Sequence, residues 1–304
     1  MDDAELIKFI KDTEDMINPK DVGLLYQRAE MLRKLPLGVQ RWIVDRASSG
    51  DPSIGFVVEP YAFFLSYEIT DLAWAQEQLP EPYRIVPAAM FDDVEPRACA
   101  ILGAFNIHTS VFWGSRVEFY LIAEDTRTGM LSWVICDYES NTINYDPGEG
   151  FTGASTRHSV VTTSHRGDVI VDVGSGERDH HIDCVARLAG AQMRPLEQRL
   201  WIEGNLSVDY GGRLMNDESV PFGLVFDPDE VAQALHIPLD AVEVGKNTFA
   251  EGRIADTPYE AACFPYAQHF RTSSFPVASP VHDRAALEAA FHEESRHSHG
   301  RWAT

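Results

Sequence analysis

From Phe56 onward the helical period gives way to short aromatic and β-branched runs divided by turn residues, interrupted by one short helical stretch over Asp71–Gln78, and that pattern makes the body mostly strands. The clearest run is Arg116 to Ala123, where Val117, Phe119 and Leu121 alternate with Arg116, Glu118 and Tyr120. The turn at Asp125 to Gly129 leads into a strand over Met130 to Tyr138, and Glu139 to Asn141 turns into Thr142 to Tyr145. Ser159 to Ser164 pairs through His165–Gly167 with Asp168 to Val173, and Gly174–Gly176 makes a further hairpin into His181 to Leu188. Leu200 to Tyr210 reads as another strand. Asp227, Pro228 and Glu230 have the spacing of a helix start, with a helix expected to run to about Leu235.

The first fifty residues have the helical period instead. Leu6, Ile7, Phe9, Ile10 and Ile17 recur near three and four, Asn18 and Pro19 break the pattern, and two further helices follow over Lys20–Leu35 and Val39–Ala47. Being amphipathic, they must bury a face against the body or against a second subunit, so a homo-oligomer is one of two expectations. The chain therefore divides into a helical extension (residues 1–50), an antiparallel β-domain (54–278), and a C-terminal helix and tail (279–304). The fold class is mainly β, a β-rich α+β.

The net charge of −22 opposes nucleic acid, whose phosphates need a basic face. It opposes anionic membranes equally, and no apolar run approaches the roughly 20 residues of a membrane helix. The acidic N-terminus lacks the pattern of a signal peptide, so a cytoplasmic location is expected. The four cysteines, Cys99, Cys136, Cys184 and Cys263, lie far apart without a C-x-x-C and are expected as reduced core residues. There is no phosphate-cradling G-x-x-x-x-G-K-[ST] and no G-x-S-x-G nucleophile elbow.

His108, His158, His165, His180 and His181 tempt a metal reading. Alternation sends His180 and His181 to opposite faces, and no H-x-H or H-E-x-x-H spacing aims two imidazoles together. No metal site is assigned on that ground, no cofactor is expected, and adventitious binding is the expectation for the tail residues His292, Glu293, His297 and His299. Aromatic side chains crowd the first half of the β-domain. Trp113, Tyr120 and Trp133, with Glu118 among them, are the candidate ligand-binding residues.

The order of features resembles the acetoacetate decarboxylase superfamily. The resemblance begins at Glu59–Phe63 and continues through Leu79–Pro82, Arg97–His108, Val117–Asp125 and Leu131–Glu139. It closes with Gly223–Phe226, Ile237–Val244 and Ala250–Ile254, and covers about two-thirds of the chain. It implies an antiparallel, cone-shaped β-barrel around a central cavity. It also implies a reactive lysine, kept uncharged by burial and a neighbouring cation, within Ser140–Gly148. That stretch contains no lysine, and Lys246, the one lysine of the body, matches a late turn. The resemblance therefore leads away from Schiff-base chemistry and towards acid–base work of the lyase, hydratase or isomerase kind on a small keto or carboxylic substrate. Tyr145, Asn144 and Glu139, at or near the vacated position, are the candidate catalytic residues, with His108 as a base. A non-catalytic binder of a hydrophobic small molecule and a histidine-based metal enzyme are the alternatives.

Overall fold

Helix gives way to strand at Ser53, where the apolar period changes. The computed structural model describes residues 3–48, 53–109, 112–146, 148–215, 221–273 and 281–296. Helix α1 (Asp3–Asp15) buries Phe9 and Thr13. Asn18 caps α2 (Pro19–Leu32) by accepting the Lys20 N–H, with Pro19 at the position where a missing N–H costs nothing. In α3 (Leu37–Ser48), buried Gln40 accepts the Phe151 N–H and donates to the Leu35 carbonyl, tying the helical extension to the body.

The strands follow in the order β1 (Ser53–Val58), β2 (Ala62–Glu68), then helix α4 (Leu72–Glu77), β3 (Tyr83–Ile85), β4 (Pro87–Ala88), β5 (Arg97–Thr109), β6 (Trp113–Asp125) and β7 (Leu131–Ser140). Next come β8 (Asn144–Asp146), β9 (Gly150–Thr152), β10 (Thr156–Thr163), β11 (Asp168–Ser175), β12 (His181–Arg187) and β13 (Gln192–Pro195). After the short helix α5 (Gly204–Leu206) stand β14 (Val208–Tyr210), β15 (Leu224–Val225), β16 (Gln233–His236), β17 (Val242–Asn247), β18 (Glu260–Phe264), β19 (Gln268–Ser273) and helix α6 (Arg284–Arg296). The expected strand-rich, mostly antiparallel body is what the structure shows.

The large sheet is a ring of pairings. β5 pairs with β6, β6 with β7, and β7 runs parallel to β14. Val208 of β14 exchanges two backbone hydrogen bonds, 2.8 and 2.9 Å, with Phe222, which leads into β15. β15 pairs with β19, β19 with β1, and β1 returns to β5. The inner face carries Phe105, Tyr120, Ile122, Trp133, Ile135 and Tyr210 in one cluster with Phe64, Trp201 and Phe264. The outer face carries Phe63, Leu65, Leu102, Val117, Phe119 and Leu121. These pack against Val169, Val171, Val173, Ile182 and Cys184 of a second sheet, β10-β11-β12-β17. Both faces of β5 and β6 are therefore buried.

Fully buried Arg271 on β19 locks the two ends of the chain onto this body. It donates to Thr13 Oγ1 at 2.9 Å and to the Phe9 carbonyl at 3.0 Å in α1, and to Glu294 Oε2 at 3.2 Å in α6. Phe9 packs on Phe291 of α6 at 4.6 Å between ring centroids. The first helix thus packs on its own body, whereas α2 and α3 leave Leu24, Tyr26, Met31, Leu37, Val39 and Trp42 exposed.

Two expected elements differ. Leu200 to Leu206 is helical, and the strand starts only at Val208. Glu197 accepts the Leu200 N–H three residues on, as an N-cap does, and the Asn205 amide donates to the Trp201 carbonyl. The start at Asp227 is genuine, with Asp227 accepting the Asp229 N–H. It yields only a single 3-10 turn over Pro228–Val231, because Gln233–His236 is drawn into the sheet between β13 and β18. All four cysteines are free and buried, and burial pushes the thiols of Cys99 up to about 11 and of Cys184 and Cys263 up to about 12, as inert core residues. No helix among the described residues is long and apolar enough to cross a membrane.

Candidate active site

At one end of the inner face Arg116, Glu118 and Tyr120 project from alternate positions of β6, all three buried. Arg116 donates through Nε to Glu118 Oε1 at 2.5 Å, and Tyr120 donates its hydroxyl to Glu118 Oε2. A second arginine nitrogen donates to the Asn144 side-chain carbonyl. The guanidinium lies 4.4 Å over the Tyr138 ring and 5.5 Å from that of Phe112. Tyr138 in turn donates to Asp146 Oδ2 at 2.5 Å. One buried cation thus stands between two phenol–carboxylate pairs, Tyr120–Glu118 and Tyr138–Asp146, with Tyr210 of β14 within electrostatic range.

Burial sets the electrostatics. It opposes the charge on Arg116, but Glu118 and Asp146 outweigh it, so the guanidinium stays protonated. Burial raises Asp146 to about 6, against the smaller opposing effects of the Tyr138 hydrogen bond and the Arg116 charge. Burial likewise pushes the Tyr120, Tyr138 and Tyr210 hydroxyls up, so all three are proton donors. A carboxyl titrating near neutrality and hydrogen-bonded to a phenol can take or return a proton.

Of the residues expected from sequence, Glu118, Tyr120, Trp133 and Asn144 meet here; Trp133 stands edge-on to Tyr120 at 5.0 Å. The others lie elsewhere. Tyr145, between Asn144 and Asp146 on β8, alternates away and meets Phe151 at 5.0 Å. His108 and Trp113 stack at 4.7 Å at the partly exposed end of β5 and β6, where His108 binds Glu59 at 2.8 Å.

Glu139 sits on the outer face, bound to Arg178 at 2.7 Å and His180 at 3.2 Å. The cause is a β-bulge. Tyr120 pairs with Ile135 but Phe119 with Asp137, leaving Cys136 as the extra residue. Without it the inward series Trp133, Ile135 would continue through Asp137 and Glu139. With it Tyr138 turns inward and Glu139 outward.

Arg116, Tyr138, Asp146 and Tyr210 join the site without any motif that marks them; the one local signal is that Arg116 shares the alternating face of Glu118 and Tyr120. Of the tempting histidines, His180 stacks on Phe249 at 4.7 Å beside Glu139, and His292 binds Glu5 at 2.8 Å; His297 and His299 lie outside the described residues.

No family model matches the chain, and no curated protein matches it. Solved structures do. An acetoacetate decarboxylase from Legionella pneumophila subsp. pneumophila str. Philadelphia 1 is 11% identical with a TM-score of 0.40, over 73% of this chain and 85% of that one. A second acetoacetate decarboxylase is 8% identical at 0.42, over 74% and 88%. The enduracididine biosynthesis enzyme MppR, with HEPES buffer bound, is 9% identical at 0.34, over 74% and 85%. The chain is similar to these structures at low identity.

Proposed function

We propose that the protein is a small-molecule enzyme performing acid–base chemistry on a small keto or carboxylic acid at the Arg116 centre. The observation that carries this reading is a buried arginine flanked by two phenol–carboxylate pairs, one of whose carboxyls titrates near 6. Buried charge is costly to maintain, and an arginine fork suits a carboxylate or an enolate oxygen. Arg116 would hold the substrate oxygen, Asn144 would orient it, and Asp146 with Tyr138 would move the proton at the adjacent carbon. Such a set fits a lyase, hydratase or isomerase. A Schiff base has no support, since Lys246 is exposed on β17 in the other sheet, opposite Asp183.

The test is α-proton exchange. The protein is incubated in D2O with a panel of 2-keto, 3-keto and 3-hydroxy acids, and deuterium incorporation is followed by proton NMR. At least one acid should exchange faster than its buffer rate, and Asp146→Asn should abolish the gain. No exchange with any acid would refute the enzymatic reading. A ligand that raises Tm without exchanging would favour a binder instead, a role supported by the aromatic face formed by Phe64, Trp133, Trp201 and Phe264.

A further inference from the structure

Three polar side chains from three strands converge on the second sheet, and none of them belongs to the interior network. In the register of that sheet His158 of β10 stands opposite Gly174 of β11, and Gly174 stands opposite His181 of β12. Asp172 lies two residues before Gly174 on β11, so it shares the face of this row. The alternate residues of β11, Val169, Val171 and Val173, point into the core, which makes the face bearing Asp172 the outer one.

Gly174 makes the convergence sterically feasible. A Cβ there would collide with Cε1 of the His158 ring, closer than any side chain tolerates. With hydrogen in its place the two imidazoles lean over the strand, ring centroids 5.4 Å apart and nearly perpendicular. Both aim Nε2 at the same oxygen: Asp172 Oδ1 lies 2.7 Å from His158 and 2.9 Å from His181. The three donor atoms all lie within 4.8 Å of one another, and each side chain is half-buried, leaving an open side towards solvent. Asp183, opposite Asp172 on β12, adds negative charge to the same face.

We propose that His158, Asp172 and His181 form a binding site for a divalent transition-metal ion of the Zn2+ or Co2+ kind. Two imidazole nitrogens and one carboxylate oxygen form a donor set of the type such ions take, at about 2.0–2.2 Å after a small inward rotation of the rings. Three protein ligands leave a position for water or for an oxygen of a bound molecule. The ion would also bridge β10, β11 and β12, so binding should stabilise the sheet. No H-x-H or H-E-x-x-H spacing marks these ligands, because strand register alone brings them together.

The test uses the full chain made without a histidine tag and stripped with a chelator. Co2+ and Zn2+ are titrated by calorimetry, and the Co2+ complex is read by its visible absorption. Stoichiometric binding, a Co2+ band of low-coordinate intensity and a raised Tm are expected. His158→Gln, Asp172→Asn and His181→Gln should each weaken binding by at least about tenfold, since even partners behind the ligands cost that much in metal sites. Gly174→Ala should weaken it too by displacing His158, although it leaves all three ligands in place. Circular dichroism of the metal-free variants checks that they fold. Absence of binding at millimolar ion overturns the proposal. So does binding that survives all three ligand substitutions, as it would if the ion sat on the tail residues His292, His297 and His299.

Discussion

Replacing Asp146 by asparagine isolates the cost of burying that carboxyl. In the folded protein it titrates at about 6, against an ordinary value of 3.8. Below about pH 4 the carboxyl is protonated whether the chain is folded or not, and it contributes no pH dependence. Between those values the folded chain holds a proton that the unfolded chain releases, so wild-type stability falls as pH rises. Above about 6 the loss is complete. A shift of about two units corresponds to ~3 kcal/mol at roughly 1.4 kcal/mol per unit. The substituted amide cannot ionise, and its side-chain oxygen can still accept the Tyr138 hydroxyl. The stability of Asp146→Asn relative to wild type, from urea unfolding at successive pH values, should therefore be constant below pH 4. It should climb by up to ~3 kcal/mol as pH passes 6, then level off. Because both proteins share every other titrating group, the difference curve reports this site. A flat curve from pH 4 to 8 would refute the reasoning. A falling curve would show that the attraction of Arg116 outweighs desolvation and that the carboxyl is held anionic.

Other perturbations test neighbouring parts of the structure. Arg116→Met leaves Glu118 as an unpaired buried charge and should cost ~3–5 kcal/mol in denaturant unfolding; adding Glu118→Leu should recover most of it. Gly204→Ala drives a Cβ into the Trp133 indole and should destabilise by ~1–3 kcal/mol, with a change in tryptophan emission. Glu139→Gln separates the inner network from the outer face: α-proton exchange should persist, because Glu139 binds Arg178 and His180 on the far side of β7.

Much of the fold is legible in the chain because local rules suffice for it. The alternation over Arg116–Ala123 predicts β6, the glycines at 167, 174 and 176 predict the hairpins of the second sheet, and Asn18 with Pro19 marks the start of α2. The helical segment after Glu197 was obscured because Leu200, Ile202 and Leu206 also fit a period of two, and only the burial of this segment against Phe64 and Trp133 separates the two readings. The candidate site was half legible. Glu118, Tyr120, Trp133 and Asn144 carry the right chemistry in strands, but alternation cannot say that both faces of β6 are buried, nor which one faces the ring.

A body built mostly of strands, cysteines suited to a reduced core and a Ser140–Gly148 stretch without lysine are all readable from the chain alone. Those properties depend on residue type and local spacing. Tertiary structure alone decided which carboxylate meets Arg116. One extra residue, Cys136, shifts the parity of β7, so Tyr138 turns inward to Asp146 and Glu139 turns out to His180. It also decided that His158, Asp172 and His181 meet, because they sit on three different strands and only the pairing register sets one opposite another. Register follows from how whole faces pack, and a slip of one residue reverses every side chain beyond it.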